Sequence, residues 1–139
     1  MEELLSNLTL RRKSTFLMAM AQLITGEASE EEMEYLADIA TMCEYPEDKF
    51  ELIFNNISED ELKEMLRDFD ELVLKRILVR ELFYFAYTME KVDEEKIAYI
   101  AFVADTLSLN ADEVEAISDW VAVGIEWEQQ GNALFGEGI

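Results

Sequence analysis

The chain contains itself twice. Ser29–Ile53 aligns with Asp93–Ile117 without a gap, at an offset of 64 residues. Eight of the 25 paired positions are identical: Glu30/Glu94, Glu31/Glu95, Tyr35/Tyr99, Ala37/Ala101, Ala40/Ala104, Asp48/Asp112, Glu51/Glu115 and Ile53/Ile117. Most of the other pairs keep apolar character, among them Met33/Ile97, Leu36/Ile100, Ile39/Val103, Cys43/Leu107, Tyr45/Leu109 and Phe50/Val114. A repeated unit of this size cannot bury its apolar side alone. Two copies make a closed pair, not an extended array.

Helical spacing runs nearly throughout, and strict strand alternation is absent. The pattern predicts an all-α bundle of about seven helices in one domain, residues 1–130, followed by a flexible tail over 131–139 that is frayed by its three glycines. The first helix is expected over Leu8–Ile24. The second opens at the capping box Ser29-x-x-Glu32 and turns Met33, Leu36, Ala37, Ala40 and Cys43 inward. A short third begins near Pro46, with Phe50 and Ile53. The fourth opens at Ser58-x-x-Glu61 and carries Leu62, Met65, Leu66 and Phe69. The fifth spans Asp70–Thr88, is apolar on more than one face and is therefore central. Asp93 caps the sixth, with Ile97, Ile100, Ala101, Ala104 and Leu107 inward, and Asn110-x-x-Glu113 caps the seventh, with Val114, Ile117, Val121 and Ile125. The two halves, about residues 16–55 and 80–119, are expected to relate by a pseudo-two-fold axis around the first and fifth helices.

Charge narrows the partners. The 32 acidic and 11 basic residues leave a net charge of −21, which repels phosphate backbones and anionic lipid. Direct nucleic-acid binding is excluded on that ground. Cations and basic protein surfaces fit; solubility alone would also account for the acidity. With no His, the commonest general acid/base and transition-metal ligand are missing, and no Ser or Cys has a His to activate it. The single Cys43 cannot form an internal disulfide, suits a reducing compartment and falls at a core-phase position. The apolar run after Arg11-Arg12-Lys13 is too short for a signal peptide, and no stretch reaches a membrane span's length. These features point to the cytoplasm. No Gly-rich phosphate loop is present.

The layout resembles the TerB-like family, an all-helical family of two similar halves named for a tellurite-resistance protein. The likeness rests on Ala86-Tyr87-Thr88-Met89-Glu90-Lys91-Val92-Asp93-Glu94-Glu95-Lys96, on Thr106-Leu107-Ser108-Leu109-Asn110-Ala111-Asp112-Glu113, and on Thr25-Gly26-Glu27-Ala28-Ser29-Glu30-Glu31-Glu32 in the first copy. It covers about Phe16 to Ile125. It implies a role in bacterial stress response or envelope-associated signalling, exercised through protein binding. The family's turn aspartate falls on Thr25 and Met89, its glycine on Gly26 and Glu90, and its following glutamate on Glu32 and Lys96. Neither copy keeps the full acidic pair. A hard-oxygen site for Ca²⁺ or Mg²⁺ would have to use Glu32 with Glu27 or Glu30, or Asp93 with Glu90 and Glu94. Acids in first turns also simply complement the helix dipole.

Trp120 and Trp127 share one helix face with Val123. Burial beneath a folded-back tail carrying Leu134 and Phe135 is one expectation for them. The other is an exposed patch for a partner or a homodimer. Residues 97–139 hold eight acids and no Lys or Arg; Asp112, Glu115 and Asp119 are candidate partner contacts in that half. The reading is a non-enzymatic acidic helical domain resembling TerB that binds a protein, with cation response as an addition. A second reading is an acidic nucleic-acid mimic that blocks a DNA- or RNA-binding protein. A third is a carboxylate enzyme with a metal.

Overall fold

The computed structural model describes residues 2–89 and 92–136. Among them the chain is all-helical: α1 (Glu2–Ser6), α2 (Leu10–Ala21), α3 (Glu30–Met42), a 3₁₀ segment (Glu47–Phe54), α4 (Glu59–Leu66), α5 (Leu72–Thr88), α6 (Glu94–Thr106) and α7 (Ala111–Phe135).

Polar side chains start the helices where the sequence places them. Ser29 and Ser58 form reciprocal capping boxes with Glu32 and Glu61. Asp93 accepts the Lys96 N–H at 2.9 Å and Asn110 the Glu113 N–H at 2.8 Å, so each first turn loses one orphan donor.

The duplication extends to the backbone. After α3, Glu44 takes a left-handed φ of 56°; after α6, Ser108, 64 positions on, takes 62°. The Tyr45 N–H donates to the Ala40 carbonyl at 2.9 Å and the Glu44 N–H to Thr41 at 3.0 Å. The second copy repeats both, Leu109 to Ala104 at 3.0 Å and Ser108 to Asp105 at 2.9 Å. These are paired Schellman turns, closed by the buried Tyr45 and Leu109. A glutamate and a serine sit where glycine would be unstrained.

Packing follows the same pairing. α2 packs on α3 and the 3₁₀ segment; α5 packs on α6 and α7; α1 lies on α3 and α4 on α6; α2 and α5 touch each other. Phe16, Leu17 and Met20 of α2 and Leu74, Leu78, Leu82 and Phe85 of α5 are buried in one continuous core with Leu36, Ile53, Ile100 and Val103. Each copy also reaches the other's long helix. Tyr35 of α3 donates to Glu81 of α5 at 3.1 Å, and the equivalent Tyr99 of α6 donates to the Ala19 carbonyl of α2.

Several expectations are corrected. The first helix is shorter than Leu8–Ile24, and a separate α1 precedes it. Met33 and Ile97 are 38% and 39% exposed, and Ala37 and Ala101 are not buried. They lie about 60–100° round their helices from Leu36 and Ile100, at the rim of the buried stripe. Leu72 and Val73 are exposed at the start of α5. The third element is 3₁₀ in the first copy, entered from Pro46 with no side-chain cap; in the second copy the Asn110 cap opens a full α-helix. That helix does not fray at Gly131. It continues to Phe135 and is stopped by Gly136 at φ 85°. The packed first half of α7 nucleates it, and propagation past one glycine costs only about 1 kcal/mol.

Glu44→Gly and Ser108→Gly should each raise stability by roughly 0.5–1 kcal/mol in denaturant melts, and the gains should add. A loss at either position means that turn is not left-handed. Burial raises the hydroxyl pKa of both Tyr35 and Tyr99, and nearby Glu81 adds to the rise at Tyr35. Both must stay protonated in the fold. Their contribution is complete below the unfolded tyrosine pKa and is lost as pH rises above about 10, at up to about 1.4 kcal/mol per pH unit for each group. Melts between pH 9 and 11 should show this decline, and Tyr99→Phe should make it shallower.

Candidate functional site

α7 carries the feature that packing does not use. Its first half lies on α5, with Val121 buried and Val114, Ile117 and Ile125 half-buried. Arg76 pairs with Glu113 at 3.4 Å, and Tyr84 donates to Glu128 at 3.3 Å, holding the two helices together. From Glu126 to Phe135 every residue is exposed except Gly131, which is intermediate. These ten residues of helix extend about 15 Å.

Along this helix Trp120 is 67% exposed, Val123 64%, Trp127 73% and Leu134 75%. The 3, 4 and 7 spacing places them in one stripe on the order of 500 Å², with Ala116 at its start. A patch of this size is toward the upper end of what a typical monomeric domain exposes. The expected burial under a folded-back tail is overturned. Leu134 and Phe135 belong to α7 itself and continue along it, so none of the described residues covers the tryptophans.

Beside Trp120 the stripe opens into a groove between α5 and α7, of about 390 Å³, lined by Val73, Arg76, Ile77, Arg80, Ala116, Ile117 and Trp120. The arginines form its rim. Arg80 is held by Glu81 at 3.1 Å and Arg76 by Glu113. The other edge of the stripe is acidic. Asp112, Asp119 and Glu126 recur every seven residues, about 100° round from Trp120 on the side away from α5, and Glu115 lies further round. All four are exposed. The second carboxylate oxygen of Glu113, one turn before Ala116, is buried without a hydrogen-bond partner.

The structure thus brings together Trp120, Val123, Trp127, Asp112 and Asp119, with Glu115 behind them. Glu126, Leu134, Ala116 and the α5 wall were not assigned to this face from sequence; Leu134 was expected to fold over it. Glu126 and Leu134 could have been, since they continue the seven-residue intervals of Asp119 and Trp127. The α5 wall needed the fold.

The candidate cation ligands are arranged differently. Glu32 is buried and its carboxylate accepts the Ser29 N–H at 2.9 Å; Asp93 caps α6. Glu27, Glu30 and Glu94 are exposed, and Glu90 lies outside the described residues. Gly26 makes the left-handed turn at φ 71° beside a cavity of about 500 Å³ to which Glu27 brings one carboxylate. Among the described residues no three His, Cys, Asp or Glu side chains gather as an ion site. Cys43 is fully buried, and burial pushes its thiol up to about 11, which removes the thiolate needed for nucleophilic work at neutral pH. No helix among the described residues is long and apolar enough to cross a membrane.

Both tryptophans of the chain lie on the stripe, so indole emission reports it directly. Native emission should be that of solvated indole, readily quenched by acrylamide and little shifted on unfolding. Trp120→Ala and Trp127→Ala should each leave the melting free energy within about 0.5 kcal/mol. Blue-shifted, protected emission, or a loss of several kcal/mol, contradicts the exposed stripe.

No protein-family model matches the chain, and neither the search of curated proteins nor that of solved structures finds a similar protein.

Proposed function

We propose that this chain is a binding domain and not an enzyme: an acidic helical module of TerB-like layout, working in stress response or envelope-associated signalling, whose α7 stripe docks a protein partner. One observation carries the reading. α7 packs on α5, continues past the core and displays Trp120, Val123, Trp127 and Leu134 to solvent along its length. Exposed apolar area of this kind costs free energy until a partner covers it, and tryptophan is the residue most enriched at the centres of such contacts. The TerB-like layout is supported by the matched turns at Glu44 and Ser108 and the matched helix starts at Ser29 and Asp93. Cation response is no part of the proposal, since Glu32 and Asp93 are engaged as caps.

A photo-crosslinking residue placed at position 127 in cells should yield a discrete adduct with another polypeptide. The same residue at position 60, exposed on α4, should not. No adduct at 127, or equal adducts at both positions, removes the reading.

A further inference from the structure

Resting on the reading of α7 as a docking face, we propose that its occupant is a basic amphipathic helix. Its large apolar side chains enter the α5–α7 groove and lie along Trp120, Val123 and Trp127, while its lysines or arginines face Asp112, Asp119 and Glu126.

Three features specify that partner. The first is periodicity. Ala116, Trp120, Val123, Trp127 and Leu134 recur at the spacing of a helix-packing seam, and a second helix laid along a helix buries apolar residues at the same intervals. A strand or an irregular loop has no matching repeat. The second is relief. Beside Trp120 the groove of about 390 Å³ lies open toward the stripe and has an apolar lining, which suits an inserted leucine or aromatic anchor.

The third is charge. α7 carries Asp112, Glu113, Glu115, Asp119, Glu126 and Glu128 and no Lys or Arg. Asp112, Asp119 and Glu126 fall at one flank of the seam at seven-residue intervals, the place where facing helices exchange ion pairs. The rim arginines are paired with Glu113 and Glu81, which offsets their charge at the groove. A second copy of this chain would bring the flank acids Asp112, Asp119 and Glu126 toward another acidic helix with no Lys or Arg on it, and like charges across an interface select against that pairing.

The test uses the full chain and three synthetic three-heptad peptides. One has leucines at a and d with lysines elsewhere, one replaces the lysines by glutamates, and one keeps the lysine composition with the leucines scrambled. Tryptophan emission and calorimetry follow each titration. The leucine–lysine peptide should bind one to one, shift the emission to the blue and weaken as salt rises. Trp127→Ala, and separately the triple change Asp112→Asn, Asp119→Asn and Glu126→Gln, should each weaken it about tenfold or more; both alter exposed positions, and circular dichroism should show the native helix content. Equal binding of the glutamate peptide overturns the charge assignment. Equal binding of the scrambled peptide reduces the effect to a general polyanion and overturns the helix assignment. Binding of none of the peptides overturns the partner's chemistry, while an adduct from position 127 in cells would leave the docking face itself standing. Sedimentation of the chain alone should give a monomer. A dimer abolished by Trp127→Ala makes a second copy the occupant and overturns the proposal.

Discussion

The structure depends on the burial of two helices, α2 and α5, against one another and against one repeat copy each. Neither copy has enough apolar surface to fold around itself. α3 and its C-cap offer Leu36, Ile39, Ala40 and Cys43; α6 and its C-cap offer Ile100, Val103, Ala104 and Leu107. Each set needs a long apolar neighbour, and α2 and α5 supply it while meeting at the centre. Burying an aliphatic side chain contributes about 1.5–3 kcal/mol, so these matched stripes dominate the balance against chain entropy. The ion pairs of Arg11 with Asp68 at 2.8 Å and Arg12 with Asp70 at 3.1 Å join the start of α2 to the α4–α5 connection. At their exposure they fix register more than they stabilise.

Within that frame the two copies diverge at one place. Both follow the same course through the left-handed turn. Then Pro46 leads into a 3₁₀ segment that ends at Phe54, while Asn110 caps a helix of 25 residues. The aligned repeat ends at Ile117, so Trp120, Val123, Trp127 and Leu134 all lie beyond it. The apolar stripe therefore stands on the part of the chain the duplication does not supply. The shared part makes a core, and the unshared part makes a surface.

How much of this the sequence disclosed follows from which signals are local. Caps are local, and Ser29, Ser58, Asp93 and Asn110 all act where their spacing predicted. Stripe centres are nearly local, and Leu36, Ala40, Ile100 and Ala104 are buried as expected. Stripe edges are not. Met33 and Ile97 look identical to core residues in a periodicity count, and only the neighbouring helix decides how wide the buried band is. The left-handed turns were hidden because Glu44 and Ser108 are not glycines. The fate of the tryptophans was open for a related reason. Seven-residue spacing puts Trp120 and Trp127 on one face, but nothing in the spacing says whether another element lies over that face. The candidate cation ligands misled in a different way: first-turn acids are common because they cap and complement helix starts, which is what Glu32 and Asp93 do.

The free-standing half of α7 has a consequence for how such a chain can change. In a site carved from a core, each residue answers to two demands, and improving recognition tends to erode folding. Here the demands fall on different residues. Leu36, Leu82 and Ile100 hold the molecule together, while Val123, Trp127 and Leu134 touch almost nothing of it. On the proposed docking face, substitutions would change what the chain meets while leaving its folding free energy nearly untouched, so a new specificity could arise by single steps without a stabilising change having to come first.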